Sequence, residues 1–359
     1  MIKKTLLAAS IGLFSASIAN AAVVYEKENA SLNIGGRLAA NMNSVFAAKD
    51  YDKPDANHKV KLEGDARLNV DASSTIYDGI KAKAFGEWEV SAESGNNDHF
   101  ATRYAIVGFD TDFMGSLVFG QTESAMYKPL SVTDVFIDWG FAGTTFGDLA
   151  DGGRQEGQMV YSLDDLNGFS FGASYQTASL NVVSSGAAFN AGYKFNEEVF
   201  PIYFGVGYDT YDMDYVHNLD INPTNVASEL ADKLSRDSFG FGFSAGDVED
   251  GFYLAGIYQY SKYAKHNGLY LKDTNSYEVV AGYAVSGFGF LAGYENRHQG
   301  NLTLVSDIVL EAKYNFNDNF LAYTEAQFAT GKTDDKVVDG EKYKVTGHDL
   351  FSVGLQYNF

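Results

Sequence analysis

The stretch Phe200-Pro201-Ile202-Tyr203-Phe204-Gly205-Val206-Gly207-Tyr208-Asp209 carries two different faces. In an extended chain successive side chains point to opposite sides, so Phe200, Ile202, Phe204, Val206 and Tyr208 share one face. Tyr203, Gly205, Gly207 and Asp209 take the other. The pattern recurs where Phe239, Phe241, Phe243 and Ala245 alternate with Ser238, Gly240, Gly242 and Ser244. It recurs again where Ile308, Leu310, Ala312, Tyr314 and Phe316 alternate with Asp307, Val309, Glu311, Lys313 and Asn315. In a soluble sandwich the bulky faces would meet and the charged faces would look at water. Here the second face is Gly, Ser and Asn with scattered ions, and the bulky face carries Tyr or Phe near its ends. That is the pattern of a transmembrane barrel with lipid outside and water inside.

Read outward from these segments, the chain divides into sixteen strands near 31–43, 62–73, 76–92, 102–110, 114–122, 155–163, 168–177, 186–195, 199–211, 237–246, 251–262, 274–285, 287–297, 306–316, 319–330 and 349–359. An even count is what a bacterial single-chain barrel requires. Tight turns at Asp164–Asn167, Asn196–Glu198, Asp247–Asp250, Ser286 and Asn317–Asp318 alternate with long polar stretches at 44–61, 123–154, 212–236, 263–273 and 331–348. Short turns at the periplasmic end and long loops outside give the barrel a direction. All six histidines (His58, His99, His217, His266, His298 and His348) fall in the long-loop class. The chain ends on an amphipathic strand in which Phe351, Val353, Leu355, Tyr357 and Phe359 alternate with Ser352, Gly354, Gln356 and Asn358, so Phe359 reads as an assembly signal.

Residues 1–21 read as an export leader. Lys3 and Lys4 form a basic start, Leu6 to Ile18 an apolar run too short to span a bilayer, and Ala19-Asn20-Ala21 a small-residue cleavage site. Residues 22–359 then form a single barrel domain. The composition agrees: 37 Gly, 24 Tyr, 27 Phe, 4 Pro and no Cys suit a pleated, aromatic-rich surface without disulfides or thiolate sites. A formal charge of −21 argues against electrostatic binding of nucleic acid.

Across residues 22–359 the chain resembles the general trimeric diffusion porins of Gram-negative outer membranes, and several motifs carry the resemblance. Asn33-Ile34-Gly35-Gly36-Arg37 resembles the first strand of that family, Ala66-Arg67-Leu68-Asn69-Val70 the second and Phe85-Gly86-Glu87-Trp88-Glu89 the third. Thr102-Arg103-Tyr104-Ala105-Ile106-Val107-Gly108-Phe109 is similar to the fourth, and Phe119-Gly120-Gln121 to the strand exit before a long third loop. The resemblance implies an all-β, 16-stranded antiparallel barrel in the outer membrane, with that loop folded into the lumen as a constriction. It also implies a homotrimer embedded in outer-membrane lipid and lipopolysaccharide, passing small hydrophilic solutes and ions without a cofactor. Arg37, Arg67, Arg103 and Arg154 match the family's wall arginines, with Glu89 the nearby wall acid. Asp134 and Asp138, four apart in Thr133-Asp134-Val135-Phe136-Ile137-Asp138, match its loop acids. The chain departs from the family at the loop tip, where Trp139-Gly140-Phe141-Ala142 replaces a Pro-Glu-Phe-Gly-Gly type of sequence.

Parity alone places the same charges. Arg67 shares a face with Glu63, Asp65, Asn69 and Asp71, opposite Leu62, Ala66, Leu68 and Val70. Arg37 stands opposite Ile34, Leu38 and Ala40, and Glu87 and Glu89 opposite Trp88 and Val90. Alternation sets Arg103 against an outward Tyr104 and Ile106, and Arg154 against an outward Gln155, Met159 and Tyr161. A charge facing lipid at the midplane costs about 2–4 kcal/mol, so each belongs in the lumen. Four arginines against Asp134, Asp138, Glu87 and Glu89 balance, and the acidic vestibule tips selectivity mildly toward cations.

Other signals carry little. Gly242-Phe243-Ser244-Ala245-Gly246 matches a nucleophile elbow in letters only, since it lies late in an alternating strand with no helix after it. Asp209, Asp212, Asp214 and Asp220 lack calcium-loop spacing and read as a solvated acidic loop. No catalytic group and no metal site is expected. The alternatives are a barrel enzyme, which needs a Ser or Asp close to a His on the barrel wall, and a plugged structural or adhesive barrel, which needs a folded plug.

Overall fold

The computed structural model describes residues 21–46, 59–91, 100–146, 153–178, 183–195, 200–214, 233–264, 272–330, 335–338, 341–344 and 349–359. The strands are β1 (Ala22–Lys27), β2 (Ala30–Phe46), β3 (Lys59–Tyr77), β4 (Ile80–Ser91), β5 (Phe100–Thr111), β6 (Gly115–Glu123), β7 (Arg154–Leu166), β8 (Phe169–Gln176), β9 (Val183–Phe195) and β10 (Ile202–Asp214). They continue with β11 (Lys233–Gly246), β12 (Gly251–Tyr263), β13 (Thr274–Val285), β14 (Phe288–Gln299), β15 (Leu302–Asn315), β16 (Phe320–Ala329), β17 (Asp335–Val338), β18 (Glu341–Lys344) and β19 (Asp349–Asn358). From β2 to β16 each strand pairs antiparallel with the next; β16 pairs with β19, and β19 with β2, which closes the sheet.

Closure joins the two ends of the chain. β1 pairs with the start of β2, Ala22 opposite Ile34, while β19 pairs with the remainder, Asn358 opposite Arg37. Gly36 N–H donates to the Phe359 carbonyl at 2.9 Å, and Phe359 N–H donates to the Gly36 carbonyl at 3.0 Å. β1 and β19 thus lie end to end along β2 and together make the sixteenth strand. The N-terminal piece is absent from the sixteen segments read from sequence, because six residues are too few to declare a period. Because Phe359 both ends the outward apolar row and fastens this seam, deleting it should sharply lower the yield of heat-modifiable barrel in the outer membrane. Unchanged yield would remove Phe359 as an assembly signal.

The alternation read from sequence holds on most strands. On β10, Phe204, Val206 and Tyr208 are about two-fifths exposed on the outer face, whereas Asp209 on the inner face is fully buried. Outward rings cluster at the short-turn rim, with Phe169–Tyr193 centroids 4.5 Å apart and Phe288–Tyr314 4.4 Å apart, as an interfacial girdle does.

Four details differ from the sequence reading. β4 begins at Ile80 after a turn at Asp78–Gly79, not at 76. His298 lies on β14 beside Thr303 rather than in a loop. The stretch 331–348 contains a small hairpin, β17 with β18. Asp209 is no solvated loop acid: it sits on β10 in a buried ion pair with Arg236 at 3.3 Å. The other five histidines and Asp220, like residues 1–20 and the Asn196–Glu198 turn, lie outside the described residues.

Candidate functional site: the lumen and its inward loop

The segment after β6 turns inward. It forms one helical turn, Tyr127–Leu130, continues as a 3-10 turn, Ser131–Thr133, and rests on the inner face of the barrel. Met126 and Leu130 are fully buried in an apolar cluster with Ala125, Tyr127, Phe146, Ala188 and Ile257. The glycines of β10 and β11 make room for it. A Cβ on Gly242 would lie 1.6 Å from the Pro129 carbonyl oxygen, and one on Gly240 would lie 2.6 Å from the Met126 methyl. The small inner face of these strands is therefore a bearing surface as well as a water-facing one.

Polar contacts hold the rest of the segment. Glu325 on β16 accepts the backbone N–H groups of Ile137 and Asp138 at 3.1 Å each and of Trp139 at 2.5 Å. Glu311 on β15 also accepts from Ile137, at 3.0 Å. Glu295 on β14 accepts from Ala142 at 2.8 Å, and Glu278 on β13 from Gly143 at 2.9 Å and from the Thr133 hydroxyl. These carboxylates oppose one another across strands, Glu278 with Glu295 and Glu311 with Glu325. Like charges so placed repel, and the converging loop donors offset that cost. Arg236 and Arg297 donate to the carbonyls of Thr145 and Thr144 at 3.2 and 2.8 Å, fixing the returning limb.

Across the lumen stand the arginines. Arg37 on β2 opposes Arg67 on β3, which opposes Glu89 on β4. Arg37 is ion-paired with Asp65. Arg103 donates to Glu87 at 2.8 Å and lies 3.5 Å from Glu89. Arg154 lies 3.9 Å from Glu123, with its guanidinium 5.7 Å from the Tyr104 ring centroid. Among the described residues Arg67 makes no ion pair, and its Nε has no partner.

Two parity assignments are corrected here. Tyr104 and Ile106 point inward, not outward: Tyr104 donates to Glu123, and both residues are buried. Glu87 pairs with Tyr104 and Trp88 with Thr102, so Arg103 is the extra residue of a β-bulge. A bulge lets neighbouring residues share a face, which is how Arg103 and Tyr104 both reach the lumen. Gln155 is likewise buried inside, beside Gln176 at 3.4 Å. A second bulge, at Glu156–Gly157 with Gly157 at φ +70°, resets the alternation before Met159.

The loop acids part company. Tyr127 donates to Asp134, and burial pushes that carboxyl above the usual carboxylate range although the Tyr127 hydrogen bond and the charges of Arg154 and Arg103 act against it. Asp138 accepts from Tyr323 on β16 at 3.0 Å. Asp134 thus neighbours the arginine wall, while Asp138 faces the β16 side. Sequence reading missed the clamp acids Glu278, Glu295 and Glu325 and the wall acid Glu123. Asp65 and Glu311 stood on the correct face without a role.

A closed sixteen-strand barrel with an apolar exterior and a charged interior that holds an inward loop is the architecture of an outer-membrane β-barrel protein. The chain belongs to the Gram-negative porin family, whose model matches residues 5–335. It is 27% identical to porin-like protein L of Photobacterium profundum and 26% identical to outer membrane protein U of Vibrio parahaemolyticus, each over the full length of both chains. Its fold is similar to an anion-selective porin from Comamonas acidovorans (TM-score 0.73, 17% identity, 92% of this chain and 100% of that one). Salmonella typhi OmpF, solved with daunomycin, gives a TM-score of 0.72 at 18% identity over 94% and 100%. The protein is an outer-membrane β-barrel.

Proposed function

We propose that the protein is a water-filled channel for passive diffusion of small hydrophilic solutes and ions, with a mild preference for cations, and that it is not an enzyme. The supporting observation is the charge set on either side of the inward loop. Arg37, Arg67, Arg103 and Arg154 stand against Glu87, Glu89, Asp134 and Asp138, joined by Asp65 and Glu123. The acids outnumber the arginines, but most are paired, so the residual field is weak and throughput is not traded for tight binding. A salt-gradient reversal potential on the unmodified protein should lie slightly on the cation side; strong anion selectivity would overturn this part of the reading.

In this reading residues 1–21 are removed on export, and three barrels associate in lipopolysaccharide-containing outer membrane through the N-terminal strands. Outward positions there are lean at Gly36, Ala40, Gly64, Ala66, Ala82 and Ala84, which lets neighbouring barrels approach. On the same face Leu38 and Leu62 are more than half exposed in the single chain. Native mass spectrometry should report a trimer, and cross-links should map to β2–β6. A monomer, or contacts confined to β10–β14, would refute the assembly.

A further inference from the structure

The lumen holds a cavity of about 310 Å³ on the short-turn side of the loop. This lies at the small end of the ligand-pocket range, about 300–1,000 Å³. Its ceiling is the underside of the loop, including Ala125, Lys128 and Val132, and its wall is the short-turn half of β4 to β11. Two features of the lining converge. Ile106, Val118 and Val160 make an apolar patch on the wall. Lys128 and Asp164, themselves ion-paired, place both signs of charge at its edge, with Lys83 and Lys194 further along. Asn190 also lines the cavity, with its amide N–H donating to the Ala125 carbonyl at 2.6 Å.

An apolar wall with both charges beside it suits a solute that carries both charges on an apolar body. We propose that this cavity is a weak binding site for short apolar peptides, entered from the periplasmic side. The apolar side chain of such a peptide covers Ile106, Val118 and Val160, and its termini exchange with the Lys128–Asp164 pair. A polar solute gains nothing from the apolar wall, and an uncharged one gains nothing from the ion pair. The inference rests on the channel reading and adds to it a preferred solute class and a side.

The test is single-channel recording of the full-length protein with alanyl-leucine added to the short-turn side. Interruptions of the ion current should rise in frequency with dipeptide concentration and be rarer with addition from the long-loop side. Glycyl-glycine, which keeps the charges without the apolar body, and N-acetyl-leucine amide, which keeps the body without the charges, should interrupt at least about tenfold less. Val160→Trp fills the cavity and Asp164→Asn removes one charge of the pair; each should suppress the alanyl-leucine events while ion conductance persists. Conductance without such events, equal events from all three solutes, or events unaffected by both variants would overturn the site. An absence of ion conductance would overturn the channel reading instead.

Discussion

Replacing Gly242 by leucine is expected to drive the loop off the barrel wall and enlarge the pore. A Cβ at this position would sit 1.6 Å from the Pro129 carbonyl oxygen, and that contact is backbone, which cannot rotate away. Overpacking of a fitted interior typically costs about 1–3 kcal/mol, and a clash this close lies at the upper end. The barrel is held by continuous ladders between strands, whereas the loop is held by one apolar cluster and a set of side-chain clamps. The loop is therefore the part that yields. Unit conductance and the largest solute admitted in liposome swelling should both increase, with the barrel still heat-modifiable. Conductance and size limit equal to those of the unmodified protein would show that the loop does not seat on Gly242.

The second large effect is on ion selectivity. Two unit charges ~10 Å apart interact by ~0.4 kcal/mol in bulk water and by ~1.7 kcal/mol at an effective dielectric near 20. Removing two such charges changes the cation-to-anion permeability ratio several-fold, since ~1.4 kcal/mol is a factor of ten. Asp134→Asn with Asp138→Asn should move the reversal potential toward anions. Arg67→Ala, Arg103→Ala and Arg154→Ala together should widen the opening and strengthen cation preference, with Arg67 contributing most because no acid is paired with it. pH acts in the same direction as the acid variants. Asp134, on the loop, has its carboxyl held above the ordinary range by burial, so it takes up a proton at a higher pH than a solvated acid does. Cation preference should thus begin to fall, as pH is lowered, before solvated carboxylates titrate. A reversal potential that neither set moves would take these residues out of the constriction.

The fold was legible because lipid imposes it. Every spanning strand must show an apolar face to hydrocarbon, and that demand writes an alternation such as Phe204, Val206 and Tyr208 against Gly205, Gly207 and Asp209. The inward face was legible where parity is unbroken, as at Arg37, Arg67, Glu87 and Glu89. It was misread at Tyr104, Ile106 and Gln155, where bulges shift parity by one and leave no period to read. The clamp acids were hidden for another reason. Glu278, Glu295 and Glu325 stand on inward positions like any luminal charge, and only the folded loop supplies the backbone donors that give them a task. The glycines at 240 and 242 were likewise read as a water-facing wall, since their partners, Met126 and Pro129, lie more than a hundred residues away.

Single-channel conductance of the purified full-length protein in a planar lipid bilayer tests the central claim most directly. The account predicts ohmic, ion-conducting insertions that close in three equal steps under high voltage, one for each barrel of a trimer. A correctly folded, heat-modifiable barrel that inserts into the bilayer and passes no ions would contradict it.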